Sequence, residues 1–216
     1  MLELAQEQMI EQQVRAADVL DERILEALRL VPRERFVPAA WRALAFADCE
    51  IPLPCGKRML RPMLVGRMLQ ALAPRAGEQV LVVGAGSGYV AACLAQLGGR
   101  VRALEIHPPL VAAARANLAG LAGAEAVEVV ETDGMRLAES SRYDLIALTA
   151  ALPLYQPCFE RALRPGGRLF AVVGAGTLQE AMLIRCAGPG DCSSEPLFET
   201  GIELLEGAPG PGAFAF

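Results

Sequence analysis

Histidine, lysine and tryptophan are almost missing from this chain; each occurs once in 216 residues. With His107 alone, there is no second imidazole for a His-based triad or a His-ligated metal site, and no metal site is predicted. The sole lysine, Lys57, restricts Schiff-base chemistry to one position, and every other basic side chain is an arginine. The six cysteines (Cys49, Cys55, Cys93, Cys158, Cys186, Cys192) form no C-x-x-C pair and have no companion histidines. A chain this large and apolar needs no disulfide staples, so reduced thiols are predicted, with Cys93 packing as a small hydrophobe. No apolar run approaches the roughly 20 residues of a membrane span. The first residues are acidic and amphipathic, unlike the basic start and apolar centre of a signal peptide. A net charge of −5 argues against nonspecific nucleic-acid binding. These absences predict a soluble cytoplasmic protein, monomer or homodimer, with neither nucleic acid nor membrane as partner.

What is abundant is apolar residues: 53% of the chain, with mean hydropathy +0.33, enough to cover both faces of a sheet. Apolar spacing predicts two helices within residues 1–31, with Asp18 and Asp21 as caps, and a brief helix after Pro38. A proline-bounded loop over 48–62 and a helix from Pro62 to Pro74 follow. Alternation then sets in: strand 80–83, helix 88–97, strand 101–105, helix 108–119, strand 127–131, a polar loop, strand 144–149, helix 155–163, a Pro165–Gly167 turn and strand 168–173. Such βα repetition predicts an α/β fold with a doubly wound, mostly parallel sheet of Rossmann-like type. Two further strands, at 179–185 and 202–205 around a loop at 188–196, predict an edge hairpin. The expected division is an N-terminal helical extension with a substrate-side loop (1–74), a cofactor-binding domain (75–206) and a flexible tail (207–216).

Within this pattern Gln79–Val90 carries the chemistry. Four apolar residues end at Gly84, Gly86 and Gly88, and a small-residue helix follows. Bare amides at a helix start accept close approach by polar or anionic groups. The next strand ends in Glu105, where a carboxylate can accept both hydroxyls of a ribose. The third glycine comes one residue earlier than in the dinucleotide fingerprint, with Tyr89 in its place. G-x-G-x-G followed by this acid is the spacing of enzymes using S-adenosylmethionine (SAM), and it disfavours an NAD-dependent oxidoreductase.

The flanking segments add a family. Val31–Pro38 (V-P-R-E-R-F-V-P), Ile51–Pro54 (I-P-L-P) with Gly56 and Pro62, Gly84–Tyr89, Thr132-Asp133-Gly134, Thr149–Ala151 and Leu163–Leu169 occur in an order that resembles the protein-L-isoaspartate (D-aspartate) O-methyltransferases over about residues 5–206. The resemblance implies a SAM-dependent enzyme that methylates the α-carboxylate of isoaspartyl residues in damaged proteins or peptides. It further implies that Gly84, Ala85, Gly86, Ser87 and Gly88 cradle the methionine part of SAM, that Glu105 holds the ribose, and that Asp133-Gly134 meets the adenine amino group.

The chain departs from the family at the acceptor side. The usual G-Q-T-I-S-x-P-H reads Gly56-Lys57-Arg58-Met59-Leu60-Arg61-Pro62-Met63, so Leu60 stands at the active-site serine and Met63 at the histidine. Val82 replaces the acid two residues before the first glycine. Leu60 offers no hydroxyl, but a carboxylate acceptor is already ionised at pH 7 and needs positioning more than a base. Arg58 and Arg61, beside Lys57, are the candidates to pair with it, Arg in bidentate fashion. Two alternatives stay open: methylation of a different acceptor, and a non-catalytic protein that binds SAM or a partner.

Overall fold

The computed structural model describes residues 2–210; positions 211–216 of the expected tail lie outside the described residues. Helix α1 (Leu2–Met9) runs on through a π-helical turn and a 3₁₀ turn to Asp18, which stops it in a left-handed conformation, φ 64°. Helix α2 (Glu22–Leu30) starts at Asp21, whose side chain accepts a hydrogen bond from the Arg23 amide, and buries Ile24, Leu25 and Leu28. Where the sequence predicts only loop, residues 48–62 contain a small antiparallel ladder, β1 (Ile51–Pro52) with β2 (Arg58–Met59). Its apolar pair, Ile51 opposite Met59, is buried, and left-handed Cys55 and Gly56 close the turn. Helix α3 (Pro62–Leu72) opens on Pro62, whose lacking N–H would have had no partner in the first turn.

Gly66 lets α3 lie against the α1 segment. A Cβ there would stand 2.5 Å from Val14 Cγ1, a stiff β-branched side chain with no exposure. Gly66→Ala is therefore expected to cost about 1–3 kcal/mol by overpacking. Thermal unfolding followed by circular dichroism should show Tm falling by roughly 3–10 °C.

The sheet has the order β5-β4-β3-β6-β7-β8-β9, built from β3 (Gln79–Val83), β4 (Arg100–Glu105), β5 (Val127–Glu131), β6 (Tyr143–Leu148), β7 (Leu163–Ala175), β8 (Leu178–Gly188) and β9 (Asp191–Glu199). The pairings from β5 through β7 are parallel, and β8 and β9 run antiparallel. Strand residues alternate between two cores. Val80, Val82, Leu145, Ala147, Phe170 and Val172 face the N-terminal helices and α4 (Tyr89–Gln96). Leu81, Val83, Ile146, Leu148, Leu169 and Ala171 face α6 (Cys158–Ala162). The period of two explains why these strands read as unbroken apolar runs. After β3 the chain winds one way through α4, β4, α5 (Pro108–Leu118) and β5; it then returns to place β6 on the other side of β3. That reversal opens a crevice at the carboxyl ends of β3 and β6.

Four further expectations need correcting. Helix 155–163 is shorter, because Pro157 precedes its first turn, and the Pro165–Gly167 turn lies inside β7 as a register shift with Gly166 at φ 79°. The second hairpin strand is 191–199, not 202–205. It is an edge strand, so Ser193, Ser194, Glu195 and Pro196 carry no apolar alternation to betray it. Residues 202–205 instead form a strap. The Gln179 side chain both donates to Ile202 O (3.1 Å) and accepts from Ile202 N (2.8 Å), and Ala151 pairs with Glu203 and Leu205 at 2.7 Å each. Finally, Cys186 and Cys192 oppose each other across β8 and β9, 4.0 Å apart at Cα, and are joined as a disulfide; Cys49, Cys55, Cys93 and Cys158 are free. Only the register shows that pairing. No helix among the described residues is long and apolar enough to cross a membrane.

Candidate active site

A cleft with about 670 Å³ of empty space, part of it open to solvent, lies at the crevice. Its floor is the strand ends Val83-Gly84, Leu104-Glu105 and Thr149-Ala150, with Thr132-Asp133-Gly134 after β5. Glu50, Lys57, Arg58 and Leu60 of the N-terminal loop form one wall, and the strap residues Glu203–Glu206 form the other.

Glu105 is the centre of this geometry. It is only 5% exposed, at the end of β4. One carboxylate oxygen accepts from the Gly86 amide at 2.8 Å and the other from the His107 amide at 3.1 Å. Each oxygen keeps a lone pair for a further donor. The glycine loop is held against β4 as well, since the Gly84 and Ala85 amides both donate to Leu104 O. Gly84 has φ 87°, and a Cβ there would meet Thr149 Oγ1 at 2.5 Å; the Thr149 hydroxyl donates to Gly84 O. Only glycine allows that approach.

Asp133 caps the turn that follows β5: one oxygen accepts from the Met135 amide at 2.9 Å, while Arg136 approaches the other at 3.4 Å. It is thus both an ordinary Asp-Gly turn and a wall of the cavity. Gly134 packs under it, where a Cβ would stand 2.4 Å from Val83 Cγ1.

The predicted residues divide accordingly. Gly84, Gly86, Glu105, Asp133, Gly134, Arg58 and Leu60 share the main cavity, and Ala85 and Ser87 line an adjoining one of about 300 Å³. Gly88 does not face either. It takes the left-handed start of α4 at φ 90°, and the space a side chain would fill lies against Ala114 and Leu118. Arg61 is also displaced from the site, because its guanidinium donates to the Thr200 hydroxyl at 2.8 Å. Val82 is fully buried in the core, so the position of the family's acid presents nothing to the cavity.

The cations of the loop are answered by acids that sequence reasoning did not single out. Lys57 pairs with Glu206 at 2.8 Å, and His107 meets the same oxygen at 3.0 Å. Those two partners hold the Glu206 carboxyl below its ordinary pKa, the Lys57 hydrogen bond foremost. Arg58 lies 4.0 Å from Glu50 and 3.8 Å from Glu203. Burial pushes the Glu50 carboxyl up against the opposing pull of Arg58. The strap's acids were hidden because the short apolar-rich run Ile202–Leu205 reads as a strand.

The comparisons agree with this architecture. A family model described as protein-L-isoaspartate(D-aspartate) O-methyltransferase matches residues 4–200. An Aeropyrum pernix protein-L-isoaspartate O-methyltransferase is 43% identical over 180 residues, covering 82% of this chain and 69% of that one. One from Rhodopseudomonas palustris is 38% identical over 204 residues, covering 94% and 93%. Among solved structures, a Plasmodium falciparum beta-aspartate methyltransferase in complex with S-adenosyl-L-homocysteine superposes with TM-score 0.80 at 16% identity, over 93% of this chain and 98% of that one, a likeness of fold. With most of its length matched both by the family model and by relatives of about 40% identity, the chain belongs to the protein-L-isoaspartate(D-aspartate) O-methyltransferase family.

Proposed function

We propose that this protein is a SAM-dependent carboxyl methyltransferase that acts on isoaspartyl residues of damaged proteins or peptides. The observation that carries the reading is the Glu105 carboxylate, buried, tied to the Gly86 amide and left with one acceptor lobe on each oxygen. That arrangement fits a vicinal ribose diol. Asp133 fits the exocyclic amino group of adenine. The apolar Leu104, Ile106 and Leu110 fit the flat faces of the base. Gly84–Ser87 leave backbone room for the amino-acid end. When bound, SAM supplies a methyl group on a sulfonium, open to in-line attack by a carboxylate. The chain's own residues bind, orient and exclude water: Leu60 closes the acceptor side, and no general base is needed because the acceptor is already an anion. In this reading residues 1–74 supply the acceptor wall and 75–206 the cofactor site, in a cytoplasmic monomer or homodimer. Incubation with SAM and an isoaspartyl peptide should yield a peptide carrying one base-labile methyl ester. Cofactor binding without any ester would overturn it.

One observation favours a second reading, methylation of another acceptor. Leu60 is apolar, and Lys57, Arg58 and Arg61 are all engaged by neighbours. A screen of small carboxylates, phenols and amines as acceptors distinguishes the two.

Glu206 clasps the strap to Lys57 and His107 over the cavity. Exposed pairs are weak and screened by salt, so Glu206→Gln is expected to weaken S-adenosylhomocysteine binding only about 2–5-fold. Calorimetric titration at low and high salt checks this: the variant should lose most of the wild type's salt dependence.

A further inference from the structure

Arg33 is a buried charge without a counter-charge. It sits in the 3₁₀ turn Arg33–Phe36 with no solvent exposure. Its Nε donates to Ala45 O at 2.8 Å and one terminal nitrogen donates to Leu60 O at 2.7 Å; the other, Nη1, has no partner. The guanidinium lies 4.9 Å from the centre of the Tyr89 ring. Among the described residues no carboxylate pairs with it. Burial also keeps its titratable neighbours neutral, Tyr89 well above its ordinary pKa and Cys93 pushed up to about 12. Burial pulls the guanidinium's own pKa down, yet an arginine keeps its proton in a protein.

Leu60 and Tyr89, both touched by Arg33, line the cavity that adjoins the glycine loop, together with Leu53, Val65, Arg58 and Thr149. Of the cations that face the main cavity from the loop, Lys57 is paired with Glu206 at 2.8 Å, while the half-exposed Arg58 stands 3.8 Å from Glu203 and 4.0 Å from Glu50. We infer that Arg33 is the positioning residue for the acceptor carboxylate: it fixes the Leu60 main chain and lends a positive field, answered by no acid, from behind the Leu60–Tyr89 wall of a cavity whose other polar lining is Arg58, Ser87 and Thr149. This deepens the proposed function and rests on it.

The physical basis is that a charge behind an apolar wall is screened far less than one in water. A carboxylate entering that cavity loses hydration, which an isolated apolar site would not return. A fixed cation behind the wall offsets the loss. The effect belongs to the bound anion and disappears in the neutral ester, so it favours acceptor binding and product departure rather than the methyl-transfer step. Arg33 never touches the reacting atoms; it acts through Leu60 and Tyr89.

The test compares Arg33→Met with Arg33→Lys, which keeps the charge and loses the planar fork. Arg33→Met is expected to raise KM for an isoaspartyl peptide about 10-fold with kcat within about 3-fold, and Arg33→Lys to hold KM within about 3-fold. Affinity for S-adenosylhomocysteine, measured by calorimetry, should stay within about 2-fold in both, reporting an intact fold. An unchanged KM in Arg33→Met would overturn the inference, as would an equal loss in both variants, which marks a structural fork. Should Arg33→Met fail to fold, the wild-type complex with S-adenosylhomocysteine carries the decision. It should bind an isoaspartyl peptide about 10-fold more tightly than the matching isoasparaginyl amide, and equal binding would contradict the inference. Absence of methyl transfer by the wild type to any isoaspartyl peptide is a different failure, because it removes the parent reading first.

Discussion

Glu105→Gln is expected to weaken S-adenosylhomocysteine binding by about 10²-fold, nearly as far as Glu105→Ala. The near-equivalence is the informative part. Each oxygen of Glu105 faces a backbone N–H, one from Gly86 and one from His107. A glutamine must point its NH₂ at one of these donors, whichever way the amide is turned, and so sets donor against donor. The variant therefore loses an acceptor for the ribose and also loosens the glycine loop. Hydrogen bonds to a charged group contribute about 1.5–3 kcal/mol each, so two of them are enough for a change of this size. Glu105→Asp, shorter by one methylene, should lose contact with the Gly86 amide and fall between. Calorimetric titration gives the affinities, and circular dichroism checks that the sheet is intact. Retention of wild-type affinity by Glu105→Gln would remove the carboxylate from the centre of the site.

Leu60→Ser should raise kcat/KM for isoaspartyl peptides by 10-fold or more, in the range that positioning of a nucleophile contributes. Leu60 is 6% exposed and lines both cavities, so a serine there would place a hydroxyl where the acceptor enters. The backbone needed to hold it is already present, since Arg33 grips the Leu60 carbonyl. The substitution also removes buried apolar volume beside existing empty space, a cost near the low end for large-to-small changes, about 2 kcal/mol. Tm should therefore drop by roughly 5 °C while activity rises. The opposing trends separate a gain in chemistry from a gain in stability. No rise with isoaspartyl peptides, together with loss of transfer to some other acceptor, would favour the second reading of the acceptor site.

The half of the cavity proposed for the cofactor was legible as a group of neighbours because its residues are placed locally. Gly84, Gly86, Glu105, Asp133 and Gly134 lie at strand ends, and the strand–helix alternation gives each its place around one crevice. Gly88 and Arg61 show the limit of spacing. Gly88 belongs to the motif but serves the α4 start, and Arg61 has the right charge but turns to Thr200. The acceptor half depends on contacts between distant parts of the chain. Glu203 and Glu206 reach the site only because Gln179 and Ala151 hold the strap across it. The Cys186–Cys192 pair depends on strand register, and β9 was hidden by its polar edge character. Arg33, within a segment useful mainly for resemblance, becomes significant once its burial and missing counter-charge are seen.

The most direct test of the account is a head-to-head measurement of methyl transfer from SAM to two peptides of identical sequence, one with an isoaspartyl and one with a normal aspartyl linkage. Base-labile methyl ester is expected on the isoaspartyl peptide, saturable in both substrates, with essentially none on the aspartyl control. Equal transfer to both peptides, or none to either while S-adenosylhomocysteine binds tightly, would contradict it.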